Sequence, residues 1–393
     1  MLRFLSRQRR MTGAALFLGF AGLVLSACGS TSGTSSGGAA NSSGVAADGV
    51  DVATAQSAVD AARALPKYMP LSTGGPINKS ADLKNKVVYI IKYADFPYNQ
   101  AEAQAEVDAF KLAGVKTKVV AGDGTPESWG AGIGAAVAAH ADAVNLMGMD
   151  PGLVAPQVKA AQQAGLIVTS SNSWGTTTEM PPPISQGGVS GTWGANGKLY
   201  IDVAVATAKG SINAIVVHSS DIGGNDHAQE NEFKAELAKI CSACDVTYVD
   251  QPVAKWSELA QPVAAALVKH PDTNWIIPFY DSMIPFIQSG INQSGVNASS
   301  IKMVSGNGSA EILQMIKPGS PVVGDVGGGV TWMGAAVATN IMRQLGGGKP
   351  VIYELLPRLF DETNVADVGS PPSYTAGFGD REAWLGEIKA ILK

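Results

Sequence analysis

The feature that most constrains this chain is a rhythm of short β-branched runs, separated by helical stretches, that occurs twice. The first set falls at residues 87–92, 116–121, 143–147 and 166–171, and the second at 213–218, 246–250, 274–279 and 301–306. Start-to-start steps are 29, 27 and 23 residues in the first set and 33, 28 and 27 in the second. Each step has room for one strand, one helix and two loops, the repeating unit of a parallel sheet. Val87-Val88-Tyr89-Ile90-Ile91 is apolar almost without a break, as a strand buried on both faces must be. Between the runs, Ala103, Val107 and Phe110 fall at i, i+4 and i+7, as do Phe233, Leu237 and Ile240. Asp150-Pro151 reads as an N-cap followed by proline in the first turn, and Gly165 closes that helix. Pro156 and Pro262 mark late helix starts or bends. The predicted fold is α/β, two Rossmann-like lobes with parallel sheets, with a ligand cleft beyond the carboxyl ends of their strands.

Composition agrees with two lobes. A chain of 393 residues exceeds one ordinary domain, and 46% hydrophobic with 16% charged residues suits a substantial core. A net charge of -5 without a Lys/Arg block gives no basic field, so nucleic acid is not an expected partner.

The N-terminus reads as an address. Arg3, Arg7, Arg9 and Arg10 precede an apolar run at 14–25 that is too short to span a bilayer comfortably and ends in small residues, the pattern of an export signal. Arg9-Arg10 leaves twin-arginine export open beside the general route. Leu25-Ser26-Ala27-Cys28 resembles a bacterial lipobox, which makes residues 1–28 a lipoprotein signal peptide and Cys28 the lipidated residue. Residues 29–50, nearly all Gly, Ser, Ala, Thr and Asn up to Ala47, cannot bury enough apolar surface to fold and are expected to form a tether. As a coil, 29–47 reaches roughly 25 Å. Residues 51–85 form an N-terminal extension, and everything after the tether is expected outside the cytoplasmic membrane, held to it by the lipid.

From about Lys86 to about Phe360 the chain resembles the type I periplasmic binding proteins of the ribose- and galactose-binding kind. The resemblance is carried by Asp150-Pro151, Ala155-Pro156-Gln157-Val158-Lys159-Ala160-Ala161 and Ala164-Gly165-Leu166, and again by His270-Pro271-Asp272 with Ile276 to Asp281. It implies a three-crossover hinge between one lobe of residues 86–190 and 328–357 and another of 191–327 and 358–393. It further implies a monomeric binding protein whose partners are a small-molecule ligand and the membrane subunits of an ABC permease, with no cofactor or metal. Phe96-Pro97-Tyr98-Asn99 stands where the sugar binders carry Asn-Pro-Phe-Phe, making Tyr98 a platform and Asp95 or Asn99 a hydrogen-bonding group. Asn172 matches the polar residue ending strand four, Trp193 an Asn of the crossover, Trp256 a second-lobe aromatic, and Asp281 the acid that accepts from ligand hydroxyls. His227 and Gln229 replace two arginines, which exchanges fixed cations for a titratable ring and an amide. The hinge glutamine is lost within Gly327-Gly328-Gly329, where nearby Asp325 can supply polarity. A monosaccharide or polyol is favoured as ligand, with a small aromatic or other non-sugar metabolite as the alternative.

Each candidate has a structural alternative. Phe96 and Tyr98 can be packing at a loop base, Trp256 a surface-helix residue and Asp281 a helix cap. Asn172 and Asn307 (in Gly306-Asn307-Gly308) can be turn formers, and His227 polar surface. Cys241-Ser242-Ala243-Cys244 follows the helix ending near Ile240, the wrong end for an activated thiol, and has no further zinc ligands nearby. A local disulfide between Cys241 and Cys244 is expected. No catalytic residue is assigned: there is no His-Glu-x-x-His, no Gly-x-Ser-x-Gly, and Gly347-Gly348-Lys349 runs into Pro350 rather than Ser or Thr. A ligand-presenting sensory receptor and a secreted hydrolase remain as rivals. A repressor is disfavoured by the signal and the missing helix-turn-helix.

Overall fold

The computed structural model describes residues 49–78, 82–173, 189–191 and 193–392; Cys28 and most of the predicted tether lie outside them. The described chain starts with α1 (Val52–Ala62), then β1 (Val87–Lys92), α2 (Pro97–Ala113), β2 (Lys116–Ala121), α3 (Pro126–Ala138), β3 (Ala143–Met147), α4 (Ala155–Gln163), β4 (Ile167–Ser171) and β5 (Val189–Gly191). It continues through α5 (Trp193–Ala208), β6 (Asn213–His218), α6 (Gly224–Ile240), β7 (Asp245–Asp250), α7 (Ala260–Lys269), β8 (Trp275–Pro278) and α8 (Ile284–Ser294). Then come β9 (Lys302–Asn307), α9 (Ala310–Leu313), β10 (Val322–Gly328), α10 (Val330–Leu345), β11 (Tyr353–Leu355), β12 (Pro357–Asp361) and α11 (Arg381–Ile391).

The strands form two six-stranded sheets, ordered β11-β5-β4-β3-β1-β2 and β12-β10-β9-β8-β6-β7. All pairings are parallel except β12 on β10, which runs antiparallel at the sheet edge. Burial follows position: every residue of the central strands β3 and β8 is buried, whereas no residue of the edge strands β2 and β7 is fully buried. Helices begin and end as their sequences dictate. Pro97 sits in the first turn of α2, and Gly114 closes it in the left-handed conformation at φ 74°, donating its N–H to Phe110 and Lys111 carbonyls. Pro156 lies in the first turn of α4, so it marks a late start rather than a bend. Asp150 accepts from Gly152 N–H just ahead of that helix.

The chain passes between the sheets at β5–α5, β10–α10 and β11–β12, the three-crossover hinge. The two termini add further passages, which the sequence division does not anticipate. Helix α1 packs on α5 and α6 of the second lobe, but Leu71, Ile77 and Leu83 lie in the core of the first. Likewise residues 357–361 belong to the second sheet, whereas α11 packs on α2 and α10 of the first lobe. Residues 358–393 are therefore shared between lobes, because the apolar stripe of Trp384, Leu385 and Ile388 finds its partners beside α10.

Between these anchor points the N-terminal extension runs along the hinge. Tyr68 donates its hydroxyl to Leu356 O (3.1 Å), accepts from Gly329 N–H (2.8 Å) and stacks on Trp332 at 4.4 Å. Upstream, Arg63 binds Asp361 through Nε (2.8 Å) and its carbonyl accepts from Arg358 Nε (2.9 Å), both in the second lobe. Downstream, the buried Arg343 guanidinium donates to Gly75 O (2.7 Å) and Thr73 O (2.8 Å), and Tyr353 OH to Leu71 O (2.9 Å), all within the first. At its start the extension pairs Val50 with Cys241 in an antiparallel bridge, and Cys241 and Cys244 are joined in a disulfide with Cα atoms 5.4 Å apart.

The interior of the first lobe contains a polar seam. Glu102 accepts from Ser171 Oγ (2.5 Å), Glu106 from Asn145 Nδ2 (2.8 Å), and Asn145 Oδ1 from Thr169 Oγ1 (3.1 Å), all buried between α2 and the β3–β4 strands. Burial pushes the Glu102 carboxyl up to about 8, against the Ser171 hydrogen bond, and Glu106 is pushed well above the usual range by burial and by Glu102. Glu102 is thus protonated at neutral pH.

Two outcomes follow from this architecture. Tyr68→Phe keeps the ring on Trp332 but removes the hydroxyl bridge at the hinge; denaturant unfolding should show a loss of about 1–2 kcal/mol, and an unchanged midpoint would deny the bridge any weight. The stability that Glu102 contributes as a neutral acid is fully present below its ordinary 4.5 and is lost as pH rises through about 8. Glu102→Gln should therefore gain stability over the parent chain between about pH 5 and about pH 9. Parallel pH profiles of unfolding would mean that Glu102 ionises normally.

Candidate functional site

The carboxyl ends of the strands of both sheets meet at one cavity of about 60 Å³, enough for a few water molecules. The first lobe contributes Tyr93, Phe96, Tyr98 and Asn99 from the end of β1 and the start of α2, Gly148 after β3, and Asn172 after β4. From the second lobe come Trp193 at the start of α5, Ile222 and Asn225 after β6, Trp256 after β7, Tyr280 and Ser282 after β8, and Asn307 at the end of β9. Corresponding loops of the two halves thus face each other, as open parallel sheets require.

Aromatic rings bridge the gap. Phe96 stacks on Trp256 with centroids 5.1 Å apart and planes 24° from parallel, and Trp256 stacks on Tyr280 at 5.7 Å and 26°. The middle ring is fixed by its indole N–H, which donates to Ser219 Oγ at 2.7 Å. Two carbon faces in contact lie about 3.5–4.0 Å apart, so a third layer between Phe96 and Trp256 needs the lobes to part. A second link between lobes is polar: Asn225 Nδ2 donates to the Asn172 carbonyl. Asn172 and Asn307 both adopt positive φ (58° and 144°), so each serves a turn and faces the cavity at once.

Several polar atoms of the wall are buried without a protein partner: Tyr93 and Tyr98 OH, Asn172 Oδ1, Trp193 Nε1 and Asn225 Oδ1. Burial raises both phenols well above their ordinary 10, so they are neutral hydrogen-bonding groups.

Seven of the predicted site residues, Phe96, Tyr98, Asn99, Asn172, Trp193, Trp256 and Asn307, are brought together here. Four lie off the wall. Asp95 is exposed and bound to Lys92, whose ammonium holds its carboxyl below the usual range together with Gln100. His227 is exposed on α6, two residues after the wall residue Asn225 and so on the other side of the helix. Asp281 is buried behind the wall, accepting from Ser305 Oγ (2.6 Å) and Ser309 N–H (2.8 Å), while its own N–H donates to Asn307 Oδ1 (3.3 Å). Asp325 is buried beside it, accepts from Gly308 N–H (2.8 Å), and is pushed well above the carboxylate range by burial and by Asp281. Around Asp281, Tyr280 and Ser282 turn outward to the cavity while the acid turns in.

Sequence reasoning missed Tyr93, Gly148, Ile222, Asn225, Tyr280 and Ser282. Internal repetition carried a signal for one of them: Asn225 stands seven residues after the end of β6, as Asn99 stands seven after the end of β1. Asp226 itself is fully buried behind the wall, accepting from Ser219 N–H (2.9 Å) and Tyr280 OH (3.2 Å) and facing His218 Nδ1 at 2.7 Å. His218, Asp226 and Glu230 bring potential ligand atoms within 4.8 Å of one another. These carboxylates already have partners in Ser219, Tyr280 and Lys234, which does not fit a cation site.

Residues 87–350 match the family model of the periplasmic binding protein domain. No curated protein matches the chain by sequence. Among solved structures it is similar to the 5-methylthioribose transporter solute binding protein of Thermotoga lettingae, in complex with 5-methylthioribose: 16% identity over 80% of this chain and 99% of that one, TM-score 0.66. A sugar ABC transporter structure from Yersinia enterocolitica aligns at 16% identity over 82% and 100%, TM-score 0.66. The myo-inositol binding protein of Caulobacter, bound to myo-inositol, aligns at 18% over 73% and 97%, TM-score 0.64. At these identities the likeness is one of fold, and it covers both lobes. The chain belongs to the periplasmic binding protein domain family and has the type I fold.

Proposed function

We propose that the chain is the extracytoplasmic substrate-binding lipoprotein of an ABC importer. In this reading residues 1–28 export it, Cys28 carries the lipid, and the Gly/Ser-rich segment tethers the body to the membrane. The two lobes of a monomer capture a monosaccharide or polyol and present it to the permease. The observation that carries the reading is the wall of the cavity: flat aromatic faces and amides from both lobes, with buried polar atoms that no protein group satisfies. Aromatic faces suit the C–H faces of a sugar, and amides suit its hydroxyls. The ligands named for two of the solved relatives, 5-methylthioribose and myo-inositol, are polyhydroxylated and uncharged.

Capture needs movement, since Phe96 lies directly on Trp256. A ligand that touches both lobes favours the closed arrangement by the contacts it makes only there, the differential affinity that any population shift requires. Among the described wall residues the hydroxyls belong to Ser282 and three tyrosines, and no acid or histidine of the wall stands beside Ser282, which supports capture and release rather than turnover. The aromatic content of the wall favours a second reading, a small aromatic metabolite.

Melting the protein against pentoses, hexoses, polyols and aromatic acids separates the two. A ligand at 100 times its Kd adds about 2.7 kcal/mol; a shift with aromatic acids and none with carbohydrates would replace the first reading with the second. Trp256→Ala should weaken carbohydrate binding by about tenfold or more, because the ring is the middle of the stack and each 1.4 kcal/mol is a factor of ten. Unchanged affinity in calorimetric titration would remove Trp256 from the ligand site.

A further inference from the structure

We propose that Tyr374 is a positioning residue of the cleft: it sets the ring of the wall residue Tyr98 from behind, and Phe378 anchors it to the second lobe. Both lie beyond residue 350, outside the stretch that matches the domain. The role holds whatever ligand the cleft takes.

Three rings of the wall have an evident holder. The Trp256 indole N–H donates to Ser219 Oγ at 2.7 Å, and the Tyr280 hydroxyl donates to Asp226 at 3.2 Å. Tyr93 lies against Trp129 with centroids 4.8 Å apart, and the Trp129 indole N–H donates to the Tyr93 carbonyl at 2.9 Å. Tyr98 is different. Its hydroxyl is buried without a protein partner, so no hydrogen bond sets the angle of the ring. Among the described residues its one ring contact is Tyr374, with centroids 6.4 Å apart and planes at 79°. Edge-to-face pairs of this kind hold a preferred angle, which the buried phenol otherwise lacks.

Tyr374 is itself held from both lobes. Toward the first, its carbonyl accepts from Thr331 Oγ1 at the start of α10 (3.5 Å), and Thr375 Oγ1 donates to that same hydroxyl (3.1 Å). Toward the second, Phe378 follows four residues later, fully buried and edge-on to Phe360 of β12 at 5.1 Å and 80°. Its ring closes on Gly308 and Gly327, where a Cβ would lie 3.1 Å and 2.8 Å from it. Gly308 follows the wall residue Asn307, so Phe378 backs the second lobe's wall as Tyr374 backs the first. One short segment thus stands behind both walls and relates Tyr98 to Asn307.

Fluorine NMR of the full chain, with 3-fluorotyrosine placed at residue 98, tests this without a ligand. The parent chain should give one narrow resonance, displaced from its position in the denatured chain by the neighbouring ring. Tyr374→Ala should move it toward the denatured position and broaden it, and Tyr374→Phe, which keeps the ring, should restore it. Phe378→Leu loosens the anchor and should move the resonance the same way by a smaller amount. A contact that only adds stability would lower the melting temperature and leave the Tyr98 resonance where it was; that result in Tyr374→Ala overturns the positioning role. A resonance that Tyr374→Phe does not restore overturns the ring contact as its cause. No change in Phe378→Leu overturns the anchor. Should Tyr374→Ala fail to fold, Tyr374→Leu, which keeps apolar bulk without a ring, makes the same comparison with the same outcomes.

Discussion

The two lobes face each other because thin passages of chain hold their sheets side by side, and the Tyr68 hydroxyl ties two of those passages together. Gly329 N–H and Leu356 O belong to different crossings, and one oxygen serves both. Gly329 has no alternative at this place: a Cβ there would lie 2.7 Å from that oxygen. The extension carrying Tyr68 is anchored to the second lobe by Arg63 and to the first through Arg343 and Tyr353. Any relative movement of the lobes must bend this strap as well as the hinge, which restricts the directions in which they can part.

What that restricted movement brings together is a contact between unlike faces. Phe96 extends from the start of α2 and Trp256 from the loop after β7, and each is held by its own lobe before they touch. Preorganisation of this kind lowers the ordering entropy of enclosing a guest. The rings already touch here, so a ligand gains by replacing one apolar contact with two and by satisfying amide and indole atoms that are otherwise buried and idle. Those atoms weaken the closed arrangement on their own and strengthen it with a ligand present, which is the asymmetry a binding protein needs.

The predicted repeat was legible because its strands are apolar on both faces, and each of the eight falls within one residue of its observed ends. The remaining strands were not. β5 and β11 are three residues each, β10 reads Val-Val-Gly-Asp-Val-Gly-Gly and looks like turn, and β12 opens on a proline, which a strand accepts at its first residue or at a sheet edge. For the site, the resemblance pointed to the wall residues on the β1, β4 and β7 loops, and it pointed also to Asp281, where the backbone instead turns Tyr280 and Ser282 to the cavity. Side-chain direction over three consecutive loop residues depends on local φ and ψ, which periodicity does not carry. The strap was illegible for a different reason: residues 63–78 have no periodic pattern, and their partners lie roughly 270 to 300 positions away.

The described residues of the wall carry no charge, and burial acts on two of the acids behind them. Glu102 lies one turn beyond Tyr98 on α2, and Asp325 lies behind Asn307; burial raises both. Protonated, Glu102 adds no field beneath Asn172, to which it is linked through Ser171, and burial together with Asp281 opposes charge on Asp325. The low polarisability that makes these carboxyls expensive to ionise is the same property that makes a charged guest unwelcome, because neither finds a counter-ion in the described interior. Amides, phenols and an indole then carry recognition by geometry rather than by charge, and a hydroxyl missing or misplaced leaves one of them buried and unpaired. Discrimination by a wall of this kind rests on counting hydrogen bonds.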